Sequence, residues 1–165
     1  MAGPGYTDTD LRWLREAIEL SRCSPPSDGA FSVGAVLVSG GEILTTGFSR
    51  ERDQHDHAEE VALAKAAEAG LAGGRPEAGL ASAGLAGATM YSSLEPCLRR
   101  LSRPRSCAQL IVAAGIRRVV LAWREPPLFV PGGGARWLGE QGVTVVEVPE
   151  LADQARAINA HLIPG

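Results

Sequence analysis

The sequence predicts an α/β domain: one mixed five-stranded sheet with helices on both faces. Three observations carry this. Runs with helical apolar spacing alternate with short β-rich runs in the order α-β-β-α-β-α-β-α-β-α. The first two β runs are joined by the tight link Ser39-Gly40-Gly41-Glu42, which makes them an antiparallel hairpin. The later β runs are separated by helices, which allows parallel pairing. With 165 residues, the chain is long enough to bury one sizeable core and is expected to form one domain over 1–165, its core at about residues 9–149.

Asp8 to Cys23 reads as a helix, with Thr9 or Asp10 as its cap and Leu11, Leu14, Ile18 and Leu20 near one face. "SPPSDGA" ends it, and "FSVGAVLVSGGEILTTGFS" is the hairpin. His57 to Gly70 is a strong helix pattern stopped by glycine. Gly70 to Gly87 is rich in Gly, Ala and Pro and reads as a low-complexity loop. "ATMYSSL" reads as a strand, and Ser106 to Ala114 as a helix ending at Gly115. "RRVVLAW" is nearly continuous in hydrophobicity, as a strand buried on both faces should be. A short glycine-bounded helix in "GGGARWLGEQG", the strand "VTVVEV" and a final amphipathic helix within residues 150–165 complete the chain. There is no internal repeat.

Composition narrows the function. Hydrophobic residues make up 45% and charged residues 21%, which suits a soluble globular protein. No apolar run approaches the roughly 18 residues of a membrane span, and "MAGPGYTDTDLRW" has no secretory pattern. The expected location is the cytoplasm, where cysteines stay reduced. A net charge of −3 argues against a broad nucleic-acid surface, and no nucleic-acid or membrane partner is expected. The one basic cluster comprises Arg99, Arg100, Arg103, Arg105, Arg117 and Arg118.

Two of the three cysteines, Cys97 and Cys107, bracket that cluster. A disulfide, a metal site and chance are the candidate explanations, and a reducing compartment weakens the first. "HDHAEE" places His57 and Glu59 at a helix start, where free N–H groups and a partial positive charge collect. Alone, such a pair also describes an ordinary surface helix start. Cys97 follows Pro96 behind a strand, and Cys107 opens the next helix, a setting that lowers thiol pKa. Cys23, without partners, reads as a small buried hydrophobe.

Together, a His-x-Glu and a Pro-Cys with a second Cys form the signature of zinc nucleobase deaminases. One imidazole and two thiolates leave zinc an open fourth position for water, whose pKa the metal lowers toward neutrality. A carboxylate two residues from the histidine can move protons while staying off the metal. The metal set is therefore His57, Cys97 and Cys107, with zinc (Zn2+) as cofactor, and Glu59 is the catalytic residue.

On these motifs, and on "VGAVLV", "GATMYSSLEPC" and "CAQLIVAAGIRRVVLAWREP", the chain resembles the cytidine deaminase-like superfamily. It is most similar to the deaminase domain of the riboflavin-biosynthesis pyrimidine deaminases, from "LREAIELSR" to "VTVVEV". The resemblance implies a three-layer α/β/α fold and a hydrolytic deaminase. Its substrate would be an amino-substituted pyrimidine-like heterocycle carrying a ribose phosphate. It also implies a homodimer or homotetramer whose subunits complete one another's pockets. By position, Arg103 matches the family's basic loop residue, which meets the phosphate. Glu95, Arg99 and Ser32 complete the implied substrate set.

The resemblance has departures. Ser32 stands where a substrate-contacting Asn is expected, and Val61 where a second His is expected. Leu98 and Arg99 replace a Ser-His pair, and the loop between the cysteines is usually one residue shorter. The alternatives are a nucleobase, nucleoside or nucleotide deaminase, a deaminase of specialised metabolism, and a catalytically silent deaminase-fold subunit. A structural zinc site would need four protein ligands, and three are found. Trp123 and Phe129 are candidates to cover a stacked base, while Trp137 is expected in the core. Arg99, Arg100 and Arg105 read as solvated charge by default. His55 and Asp56 flank His57 and could orient it or line the pocket, but they are expected as exposed loop residues, and His161 is expected at the surface.

Overall fold

The structure, a computed structural model, describes residues 5–71, 83–129 and 132–164. Its elements in order are α1 (Asp8–Ser21), β1 (Gly34–Ser39), β2 (Glu42–Phe48), α2 (Ala58–Glu68), α3 (Ala83–Ala86), β3 (Thr89–Leu94), α4 (Cys107–Ala113), β4 (Arg118–Trp123), α5 (Gly134–Glu140), β5 (Thr144–Glu147) and α6 (Ala152–Ile158). The sheet order is β2-β1-β3-β4-β5. β1 is antiparallel to both β2 and β3, while β3, β4 and β5 run parallel. This is the expected mixed sheet.

Two glycines establish the layers. Gly34 pairs with Phe48 and Ala35 with Gly47, so Gly34 and Gly47 face opposite sides of the sheet. A Cβ at Gly34 would lie 1.9 Å from the Ala17 carbonyl oxygen of α1; one at Gly47 would lie 2.2 Å from the Ala58 carbonyl oxygen of α2. Each glycine lets a helix backbone close on its own face of the sheet, which makes three layers. Leu14 and Ile18 of α1, Val36 and Leu37 of β1, Met90 of β3 and Val119 of β4 are all buried. β4 is buried along almost its whole length, as its sequence predicts.

The cap of α1 differs from the expected one. Thr7 takes that place: Asp10 N–H donates to Thr7 Oγ1 at 3.1 Å, and Thr7 N–H donates to Asp10 Oδ2 at 2.9 Å. Asp10 is buried and does more than cap. It accepts from Arg118 Nη1 at 2.7 Å and Nη2 at 2.8 Å, and from the Tyr91 hydroxyl at 2.8 Å. The Arg118 guanidinium holds its carboxyl well below the usual range. One side chain thus ties α1 to β3 and β4.

Three further expectations change. The C-terminal helix is broken: a 3-10 turn at Pro149–Leu151 precedes α6, and another follows at Ala160–Leu162. Proline at the first position suits a tight turn that needs no N–H there. Cys23 is exposed rather than buried, because α1 ends at Ser21 before that position can turn inward. The expected Gly70–Gly87 loop lies mostly outside the described residues; its far end forms α3, with Leu85 buried.

Candidate active site

The site lies past the carboxyl end of β3, where α2 and α4 begin. In open α/β sheets, such a crevice is where ligands bind. His57 precedes α2 with extended backbone, and its N–H donates to Glu60 Oε1 at 3.4 Å. Two residues on, Glu59 is buried in the first turn. Cys107 opens α4, capped by Ser106: Gln109 N–H donates to Ser106 Oγ at 3.2 Å, and Ser106 N–H to Gln109 Oε1 at 2.9 Å. Ala108 N–H donates to the Cys97 carbonyl at 3.0 Å, which docks the start of α4 onto the strand exit.

These elements bring the three predicted ligands together. His57 Nδ1 lies 3.5 Å from Cys97 Sγ and 3.4 Å from Cys107 Sγ, and the three donor atoms all lie within 4.8 Å of one another. Tetrahedral zinc with ordinary bond lengths separates a nitrogen and a sulfur ligand by about 3.5 Å. The donor set therefore fits zinc in both chemistry and spacing. Both cysteines are buried and free. Cys107 N–H points to Cys97 Sγ at 3.3 Å. The Cys107 thiol, with His57 beside it, holds Cys97 down at about 4, and the same pairing with burial pushes Cys107 up. One thiolate forms readily, as a metal ligand requires.

Glu59 stands beside this triad. Ser92 Oγ, fully buried on β3, donates to Glu59 Oε1 at 2.7 Å and lies at the same distance from the Leu94 carbonyl. Burial pushes the Glu59 carboxyl up, and the charge on Cys97 adds to the shift. The cavity in front has a volume of about 490 Å³ and is lined by Phe31, His57, Glu59, Glu95, Cys97, Arg99, Arg100, Glu125 and Phe129, among others. That size suits a small molecule. Phe31 meets Trp123 and Phe129 edge-on, with ring centroids 5.4 Å and 5.0 Å apart.

The implied substrate residues separate into two groups. Arg99 and Glu95 line the cavity, but both Glu95 oxygens are already used. Oε1 accepts from Glu125 N–H at 3.0 Å and Oε2 from Ala135 N–H at 2.8 Å. Ser32 and Arg103 are not among the lining residues. Ser32 Oγ accepts from Arg50 Nη2 at 3.0 Å. Arg103 is drawn to Asp56 at 3.3 Å, Asp53 at 3.4 Å and Glu60 at 3.5 Å.

Two residues read as surface charge are not. The Arg100 side chain is 3% exposed; its Nη2 donates to the His55 carbonyl at 2.7 Å, and its Nη1 lies 3.2 Å from Glu60 Oε2. Asp56 is buried, and its Oδ2 accepts from the backbone N–H groups of Arg52 and Asp53 at 2.9 and 2.8 Å. Of the aromatic candidates, Trp123 is buried and Trp137 half-buried against the core. His161 is exposed as expected, and His55 is exposed yet lines the cavity, as Asp56 does.

The family model of the cytidine and deoxycytidylate deaminase zinc-binding region matches residues 7–123. The chain belongs to this family. Within it, this family member is 39% identical over 150 residues to the diaminohydroxyphosphoribosylamino-pyrimidine deaminase of Schizosaccharomyces pombe, covering 90% of this chain and 34% of that one. Among solved structures, it is similar to a diaminohydroxyphosphoribosylaminopyrimidine deaminase/5-amino-6-(5-phosphoribosylamino)uracil reductase of Thermotoga maritima. There the TM-score is 0.70 at 28% identity, over 91% of this chain and 39% of that one. The Rib2 deaminase of Aspergillus oryzae, a C-terminal deletion mutant, gives a TM-score of 0.72 at 25% identity, over 90% and 89%. The chain thus spans about a third of the length of the curated relative it matches.

Sequence reasoning missed Ser92 and Glu125. Nothing in "TMYSSL" separates Ser92 from Ser93, which instead accepts from Gly34 N–H at 3.0 Å. Glu125 sits before a proline pair and reads as loop charge. In the fold its Oε2 is buried without a hydrogen-bond partner among the described residues. Burial pushes its carboxyl up to about 8, with the charges of Cys97, Glu59 and Glu95 contributing.

Proposed function

We propose that this chain is a zinc-dependent hydrolytic deaminase of an amino-substituted pyrimidine-like heterocycle. The first candidate is the diaminopyrimidinone ribosylamino phosphate named for its riboflavin-pathway relatives. The observation that carries this is Glu59, a buried carboxylate facing the cavity two residues from His57 and outside the His57-Cys97-Cys107 set. Zinc, which His57, Cys97 and Cys107 would hold, would supply Lewis acidity that makes water a nucleophile at neutral pH.

The chain's own groups do the rest. Glu59 takes the two protons of the attacking water in turn, passing one to the ring nitrogen and the other to the departing amine. The C–N bond breaks, a carbonyl replaces it, and ammonia leaves. Ser92 holds the carboxylate in place. Phe31 and Phe129 offer apolar faces and edges to a planar ring. Glu125 presents a carboxyl to N–H groups of the ring.

The cavity favours Arg99 over Arg103 as the phosphate contact, because Arg99 lines it and is exposed while Arg103 is engaged by three carboxylates. A guanidinium suits phosphate because it can bind two oxygens at once. Arg99→Ala is expected to raise KM for a phosphorylated substrate and to leave KM for the dephosphorylated compound unchanged. Equal effects on both would remove the phosphate assignment.

The test of the function is ammonia release by the zinc-loaded protein, screened over the riboflavin-pathway pyrimidine, cytosine, dCMP, guanine derivatives and pterins. Turnover of the first supports the reading, and turnover of another class alone replaces the substrate. No turnover of any would favour the silent-subunit alternative. A site built on two free thiols suits a reducing compartment such as the cytoplasm. We also place the chain as a homodimer or homotetramer, which sedimentation velocity would check.

A further inference from the structure

One wall of the cavity consists of backbone without regular secondary structure. Gly29, Ala30, Phe31 and Val33 line it, yet residues 29–33 lie outside every helix and strand. Polar backbone in such a wall must find partners elsewhere, and here side chains supply them. Asn159, at the end of α6, is 1% exposed. Its Oδ1 accepts from Ser32 N–H at 2.7 Å, and its Nδ2 donates to the Ser32 carbonyl at 3.0 Å and to the Ala155 carbonyl at 3.2 Å. One amide thus grips both backbone groups of a residue 127 positions away, and Ala155 fixes that amide to its own helix. Arg50 works from the other side: Nη1 donates to the Phe31 carbonyl at 3.1 Å and Nη2 to Ser32 Oγ at 3.0 Å.

We infer that Asn159 is a positioning residue for substrate binding, which sets the place of Phe31 in the cavity by clamping the backbone of Ser32 from the C-terminal segment. Phe31 sits between Trp123 and Phe129, so a shift of its backbone moves the ring that a planar substrate would meet. Asn159 itself does not line the cavity. Its influence therefore falls on binding, while Glu59 and the metal ligands, held by α2, β3 and α4, keep their geometry. This inference rests on the deaminase reading for its kinetic part and on the fold alone for its dynamic part.

The test has three arms. In the unmodified protein, the Ser32 amide should exchange with solvent as slowly as amides in the middle of β3; exchange at the rate of an open loop would overturn the clamp. In Asn159→Ala, exchange over residues 29–33 should accelerate about 10-fold or more while β3 is unchanged, and zinc content should stay at about one per chain. KM should rise about 10-fold, with kcat within about 3-fold of the parent, the pattern of a lost contact that binds ground state and transition state alike. An unchanged exchange rate, or a fall in kcat at constant KM, would overturn the inference. In a Phe31→Ala background, Asn159→Ala should no longer move KM; additive effects would show that Asn159 does not act through Phe31. If the parent turns over no compound, the deaminase reading fails and the exchange arms alone decide the clamp.

Discussion

Among the described residues, Ser92 supplies the side-chain hydrogen bond to Glu59, so one hydroxyl helps to orient the carboxylate. Ser92→Ala is expected to lower kcat about 10-fold with KM and zinc content unchanged, less than the roughly 100-fold or more that a general acid–base group itself commands. Ser92→Thr should restore most of the loss. Glu59→Gln should keep about one zinc per chain and lower kcat by about 100-fold or more, as metal analysis beside steady-state kinetics would show. A variant that lost both would mark Glu59 as structural. These two residues were not equally legible. Glu59 stands at a fixed step from a histidine, a local pattern. Ser92 reaches it across 33 residues, and no local pattern records that.

At the level of elements, the fold depends on a few close approaches. Gly34→Ala places a Cβ against the backbone of α1, which cannot yield as a side-chain end can. It is expected to cost about 3 kcal/mol or more, the upper end of overpacking, measured by denaturant unfolding. The Asp10–Arg118 pair is a second such point. Because the folded chain holds the Asp10 carboxyl below its usual range, the pair contributes stability above the unfolded value near 4. That contribution is lost as pH falls through the folded value. Asp10→Asn should therefore lower stability by about 2–3 kcal/mol at pH 7, below the 3–5 kcal/mol typical of fully buried pairs. The reason is that Arg118 is 31% exposed. The difference from the parent should shrink in acid.

At the scale of the whole molecule, cavity and stability oppose each other at Glu125. The folded chain holds that proton up to about pH 8, while the unfolded chain releases it near 4.3. The folded state then binds more protons across this window, so stability falls as pH rises through it. Glu125→Gln should remove the penalty, and its gain in Tm over the parent should be larger at pH 8 than at pH 5. Metal belongs to the same scale. Chelation of zinc should lower Tm, because a ligand set drawn from α2, the β3 exit and α4 exists only in the folded chain.

Sequence by itself determined the order of elements, the hairpin and the family, and it singled out His57, Glu59, Cys97 and Cys107 as the candidate set. Apolar periodicity and turn chemistry are local, and metal chemistry demands particular side chains at particular steps. Tertiary structure alone decided how charge is spent around them. It put Arg100 and Asp56 inside, tied Arg103 to carboxylates, and left Arg99 at the cavity. It also joined Asn159 to Ser32, and Asp10 to Tyr91 and Arg118. The reason is physical: whether a charged or polar side chain is solvated, paired or aimed at a ligand depends on what lies opposite it. Here the opposite partner stands tens of residues away along the chain.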